Sequence, residues 1–201
     1  MEISFAKLAM IFLSAAITQN ILLSRFFGMC SFIAVSKSMK TATGLGFAVL
    51  FVTVSTAILN YLIYQHLLAP LELISLRPLI FIMVIAGFVQ LVEMIIERFS
   101  PTLHINLGIY LPLITVNCAI LGVNETMIND ESLKNIVEVI TFAFASGAGW
   151  FFAICIMAAI RKRLENSNIP KPLRGLGITM MITGLMALAF MGFAGTVEVG
   201  V

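Results

Sequence analysis

The stretches RPLIFIMVIAGFVQLVEM (Arg77 to Met94) and RGLGITMMITGLMALAFM (Arg174 to Met191) agree at seven of eighteen positions: Arg77/Arg174, Leu79/Leu176, Met83/Met180, Ile85/Ile182, Gly87/Gly184, Leu91/Leu188 and Met94/Met191. Chance agreement between two apolar segments of this length is roughly two or three positions. They are the third and the sixth of six apolar runs: Ile3 to Val35, Ala42 to Leu68, Pro78 to Ile96, Ile105 to Val123, Ile136 to Ile160 and Leu176 to Val197. Each run is close to or above the roughly 20 residues needed to cross hydrocarbon. A unit that recurs after three crossings enters the bilayer the other way up, because an odd number of crossings reverses direction. The expected fold is therefore an all-α integral membrane protein, with six transmembrane helices in a 3+3 inverted repeat. It forms one transmembrane domain over residues 1–201, its repeats covering approximately 1–100 and 101–201.

Composition agrees with that fold. Of 201 residues, 60% are hydrophobic and 11% charged, with a mean hydropathy of +1.06; soluble domains carry about 25% charged residues. A soluble enzyme domain is excluded. So are a nucleic-acid binder, because the net charge is only +2, and a disulfide-stapled secreted module, because there are three cysteines. The opening MEISF has neither the basic start nor the cleavage site of a signal peptide, so the first run is expected as a retained helix and the mature chain to start at Met1. The polar stretches between runs, Ser36 to Thr41, Pro70 to Arg77, Glu97 to His104, the acidic Asn124 to Lys134 and the basic Arg161 to Arg174, are all too short to link domains.

Basic residues set the orientation, since basic loops stay in the cytoplasm. Loops one, three and five carry Lys37, Lys40, Arg98, Arg161, Lys162, Arg163, Lys171 and Arg174; the other face has Lys7, Arg77 and Lys134, and Arg25 lies inside the first run. Both termini are expected on the non-cytoplasmic side of the membrane, along with Glu125, Asp130 and Glu131.

Two runs do not fit plain helices. Ile3 to Val35 is 33 residues long and contains Asn20, Arg25 and Gly28; Ile105 to Val123 contains Gly108, Pro112 and Asn117. The first is too long for one crossing and the second contains a proline that removes a ladder donor, so the first and fourth helices are expected to be broken. Cys30 and Cys118 then fall at matching places in the first helix of each half, 88 residues apart against 97 for the third helices. A pseudo-two-fold axis in the membrane plane brings them together near the midplane.

Facing thiols at that depth could form a disulfide, fill space, or ligate metal as thiolates. Two thiolates cannot complete a tetrahedral zinc site or an iron-sulfur cluster, so a second subunit would have to supply the rest. Cys155, on the smooth fifth run, reads as packing. Glu93 is an intramembrane carboxylate and hence a site candidate, although Glu97 and Arg98 lie one turn away at the interface. Asn20 and Asn117 read as caps for freed backbone groups rather than sodium ligands. His66 and His104 read as interfacial. The twelve Met and sixteen Phe read as packing.

The stretches NILLSRFFGMCSFIAVSKSMKTATGLG (Asn20 to Gly46), FVQLVEMIIERFSPTLHINLGIYLPLITVNCAILGV (Phe88 to Val123) and RGLGITMMITGLMALAFMGFAG (Arg174 to Gly195) resemble the A-type subunit of the Rnf electron-transport complex. They are nearly as similar to its counterpart, the E-type subunit of the sodium-translocating NADH:quinone oxidoreductase. The resemblance covers essentially the whole chain, and the GMCSF and LPLITVNCA motifs are highly specific to it. The LRPL opening of the third helix and Arg25 look like the Rnf form, whereas GAGW (Gly147 to Trp150) looks like the other.

The resemblance implies a homologous partner of opposite orientation (the E-type subunit of an Rnf complex), with each of the pair giving two cysteines to a shared 2Fe-2S cluster within the membrane. Carried over by motif, the iron ligands here are Cys30 and Cys118. The implied role is a one-electron relay across the membrane, coupled to Na+ or H+ translocation, inside a multi-subunit oxidoreductase whose flavins (FMN or riboflavin) belong to partner subunits. No complete active site is expected in this chain alone. The alternative from a different class is a small inverted-repeat secondary transporter using the same broken helices as a substrate site; it predicts solute uptake by this chain alone.

Overall fold

The structure is a computed structural model that describes residues 5–68, 70, 74–99, 111–130, 133, 135–165, 170 and 175–194. The first helix, α1 (Phe5–Leu13), runs on into a π-helical turn, Ser14–Thr18, and after an irregular stretch the chain resumes as α2 (Met29–Val35). Then come α3 (Met39–Ile63) with its π-helical extension Tyr64–Leu68, a 3-10 turn (Ile74–Leu76), and α4 (Arg77–Phe99). The second half has α5 (Leu111–Thr115), α6 (Cys118–Asn129), α7 (Ile136–Leu164) and α8 (Leu176–Ala194). Among the described residues every regular element is helical. Three spans are long and apolar enough to cross a membrane: Met39–Leu68, Arg77–Ile95 and Ile136–Leu164, with Ala6–Thr18 and Leu176–Gly192 as shorter apolar helices. His104, Gly108, Glu131, Lys134, Lys171 and Arg174 lie outside the described residues.

The core is built on α7, which packs along α3 and against α1 with its π-helical turn. Lipid offers no hydrophobic gain for helix association, so close backbone approach through small residues has to supply it. Ala145, Ser146, Gly147, Gly149 and Ala153 are buried on α7. Gly149 is required: a Cβ there would lie 2.7 Å from the Ala16 carbonyl oxygen and 3.0 Å from Asn20 Nδ2. By contrast, α4 and α8 are peripheral. Of the residues their sequences share, Leu79, Met83, Leu91 and Met94 are exposed on α4, and Leu176, Met180, Leu188 and Met191 on α8. The positions that the two sequences share thus lie mostly on faces suited to lipid or neighbouring subunits.

Charged contacts segregate to the two ends. Lys7 Nζ donates to Glu138 Oε1 at 2.6 Å, and Arg77 Nη2 to Glu125 Oε2 at 2.7 Å, which joins the start of α1 to α7 and the start of α4 to α6. At the opposite end Arg161 Nη1 donates to the Ile33 carbonyl (2.9 Å) and Ser36 Oγ (2.8 Å), and Lys37, Arg161, Glu165 and Gly175 line one cavity. The first and fifth loops therefore share a face, as the basic-residue pattern requires. Glu138 is also the acidic member of a capping box with Asn135 that opens α7.

One sequence expectation is corrected. The acidic connection is expected over Asn124 to Lys134, but α6 remains helical to Asn129, and Asn124 is fully buried. A half-helix that starts in the bundle interior must continue to the surface, and polar side chains on its inner face can pair there. Asn60 Nδ2 donates to Asn124 Oδ1 (2.9 Å), and Asn124 Nδ2 to the Ile120 carbonyl (2.7 Å) and Thr56 Oγ1 (3.4 Å). This network ties α6 to α3. Asn124→Leu should destabilise the protein by about 1–2 kcal/mol by stranding Asn60. The double variant Asn60→Leu/Asn124→Leu should cost less than the two single changes together, as thermal unfolding in detergent would show.

Candidate functional site at the junction of two broken helices

Both predicted breaks occur, and each is organised by an asparagine. Asn20 is buried beyond the π-helical turn; its Oδ1 accepts from the backbone N–H of Leu22 (3.1 Å) and Leu23 (3.4 Å), and its Nδ2 donates to the Ala16 carbonyl (3.1 Å). The amide replaces the ladder bonds lost at the break. Leu22 and Leu23 then anchor the chain in the core, and Ser24 to Phe27 return to the surface, where Arg25 Nη1 donates to Thr126 Oγ1 of α6 at 2.9 Å. Two left-handed residues, Phe26 (φ 58°) and Gly28 (φ 82°), turn the chain into α2. The Gly28 carbonyl accepts from Phe32 N and Ser31 Oγ, both at 3.0 Å, and so opens the helix. At its far end α2 is held by Arg161.

In the second half, Asn117 Oδ1 accepts from Ala119 N at 3.0 Å and caps α6, whose first residue is Cys118. Pro112 lies within α5, upstream of the break, and its carbonyl accepts from Val116 N at 3.2 Å. The interruption falls at Val116 and Asn117.

The two breaks meet. A Cβ on Gly28 would stand 2.9 Å from Asn117 Oδ1, 2.9 Å from Trp150 Nε1 and 3.0 Å from the Ala119 Cβ. Cys30, the second residue of α2, and Cys118, the first of α6, thus stand at the starts of two half-helices whose capping residues, Gly28 and Asn117, are in contact. Both cysteines are exposed and free, so no disulfide joins them; Cys155 is half-buried and also free. Cys118 Sγ is 4.0 Å from the Val116 carbonyl. Among the described residues no cluster of three or more His, Cys, Asp or Glu side chains could hold a metal.

Trp150 was not singled out from sequence as a site residue. It is buried under the junction, and its Nε1, like Asn117 Nδ2, has no hydrogen-bond partner among the described residues. A tryptophan inside an apolar run gives no sign of this. Glu93 is half-buried near the end of α4, and His66 is exposed in the π-helical extension of α3.

The family model for "Rnf-Nqr subunit, membrane protein" matches residues 8–197, which include both breaks and both motif cysteines. The chain belongs to the Rnf-Nqr family. Among relatives of this Rnf-Nqr protein is the A-type subunit of the ion-translocating oxidoreductase complex of Actinobacillus pleuropneumoniae, 44% identical over 190 residues, covering 94% of this chain and 97% of the relative. The A-type subunit of the Na(+)-translocating ferredoxin:NAD(+) oxidoreductase complex of Acetobacterium woodii is 46% identical over 188 residues, with the same coverage. The E-type subunit of the Na(+)-translocating NADH-quinone reductase of Serratia proteamaculans is 47% identical over 191 residues, covering 92% of this chain and 96% of the relative.

Proposed function

We propose that this chain is a membrane subunit of an Rnf-type ion-translocating oxidoreductase, and that Cys30 and Cys118 supply half the ligands of a 2Fe-2S cluster shared with a homologous subunit of opposite orientation. The observation that carries the reading is the contact between the two broken helices at Gly28, beside which the half-helices bearing the two exposed, free cysteines begin. Two thiolates are half of the four such a cluster takes. Exposure of both in the single chain suits completion by a partner. The donor set fits the group, being all-thiolate, with two buried, unpartnered N–H groups near Gly28. When bound, such a cluster takes up and releases one electron at a time.

The chain's own residues hold and shield that site. Asn20 and Asn117 fix the broken backbones, Arg161 pins the far end of α2, and Leu22, Leu23, Ile114 and Ile120 keep water from the inner side. Electron transfer requires a held cofactor and proximity rather than a nucleophile or a base. The deciding assay is iron and acid-labile sulfide on the purified complex, with and without Cys30; absence of both from the wild-type complex would sink the proposal. The further architecture is six crossings in a 3+3 inverted repeat, with the Lys37 and Arg161 end in the cytoplasm. A reporter active only in the cytoplasm should stay silent when fused after Val201 and be active in the 166–170 segment. The reverse pattern overturns the orientation.

The Serratia relative supports a second reading, the E-type subunit of a sodium-translocating NADH:quinone reductase. Oxidation of reduced ferredoxin by the purified complex favours the Rnf form. NADH oxidation with quinone as acceptor favours the other.

A further inference from the structure

Asn117 Oδ1 already caps α6, a task that serine or aspartate performs as well, so the cap does not explain the amide nitrogen. That Nδ2 is buried without a partner among the described residues, and so is Trp150 Nε1. The orientation of the Asn117 amide is set by the Ala119 N–H, so flipping it would break the cap rather than satisfy the donor. Both residues lie against Gly28, where an added Cβ would stand 2.9 Å from Asn117 Oδ1 and from Trp150 Nε1; Gly28 is two residues before Cys30, and Asn117 is one before Cys118. Phenylalanine at 150 would fill similar space without burying a donor. Two unpaired N–H groups at one apolar junction are costly unless negative charge is to be placed beside them.

We propose that the Nε1–H of Trp150 and the Nδ2–H of Asn117 set the reduction potential at Cys30 and Cys118 by favouring the reduced, more negative state. The inference rests on the cluster reading above. In a low-dielectric site a fixed N–H dipole stabilises negative charge placed near it without having to reorganise, and the polar surroundings of a cluster are a principal lever on its potential. Both side chains act through the environment of the thiolates, so they are tuning residues rather than ligands.

The test compares the wild-type complex with Trp150→Phe and with Asn117→Ser, which keeps an oxygen to cap α6. Iron and sulfide content is measured first, then the midpoint by redox titration followed by electron paramagnetic resonance. Each variant should retain iron and shift to lower potential. At the wild-type midpoint the reduced-to-oxidised ratio should fall about tenfold, or ~60 mV for a one-electron couple. Phe152→Leu, on the exposed side of α7, should leave the midpoint unchanged. Wild-type midpoints in both iron-replete variants overturn the proposal, and so does loss of iron from both. Should only Trp150→Phe lose iron, the Asn117→Ser midpoint decides. A wild-type complex without Cys30-dependent iron instead refutes the underlying reading, and the metal assay shows this before any potential is measured.

Discussion

Cys30→Ser and Cys118→Ser should each eliminate the membrane iron-sulfur signal of the purified complex and stop its electron flow, whereas Cys155→Ser should leave both intact. A hydroxyl is a poor substitute for thiolate on iron, and a centre that loses one of four ligands is under-coordinated. The two motif cysteines should behave alike because each lies in the first turn of a half-helix, and those half-helices touch. Cys155 differs in position: it is half-buried on the continuous helix α7 and packs against the core. The measurement is iron per complex together with the visible and paramagnetic spectra of reduced samples. A wild-type cluster in Cys30→Ser would show that the thiol only fills space at the junction.

Gly28→Ala should have the second-largest effect, although it removes no ligand. Its φ of 82° lies in the left-handed region, where a side chain costs about 1–2 kcal/mol. The added methyl would also approach Asn117 Oδ1 and Trp150 Nε1 to 2.9 Å, so the two half-helices must separate, at about 1–3 kcal/mol for overpacking. We expect a loss of about 2–4 kcal/mol in stability, with reduced iron occupancy, because the separation moves Cys30 relative to Cys118. Gly44→Ala is the control. Gly44 sits within α3, where a Cβ would meet nothing within 4 Å, and the change should be neutral or stabilise by about 0.5–1 kcal/mol. Equal unfolding midpoints and iron contents for Gly28→Ala and the wild type would show that the junction tolerates separation.

Much of the junction can be read from residue order. Asn20 and Asn117 were legible as caps because an amide is among the few side chains that can satisfy freed backbone groups inside an apolar run. Gly28 was legible only as one of the residues that interrupt an over-long apolar run; its close approach to Asn117 and Trp150 belongs to the assembled structure. Pro112 did not by itself place the second break, which falls four residues further on, at Val116 and Asn117. The acidic connection was drawn too early at Asn124, whose pairing with Asn60 on a distant helix leaves no local trace.

Membrane insertion, helical class, the two interruptions and the cysteine motifs follow from the order of residues, because hydrocarbon imposes length and backbone pairing on each segment separately. The contact between the interruptions could not be had that way. It depends on α7 lying close to α1 and α3 through its small residues, which puts Gly149 against Ala16 and brings Trp150 under Gly28. Such placement is the joint result of many weak packing contacts between segments far apart in the chain, none of which any single segment encodes. For the same reason Trp150 and its unpaired N–H became visible only once the helices were assembled.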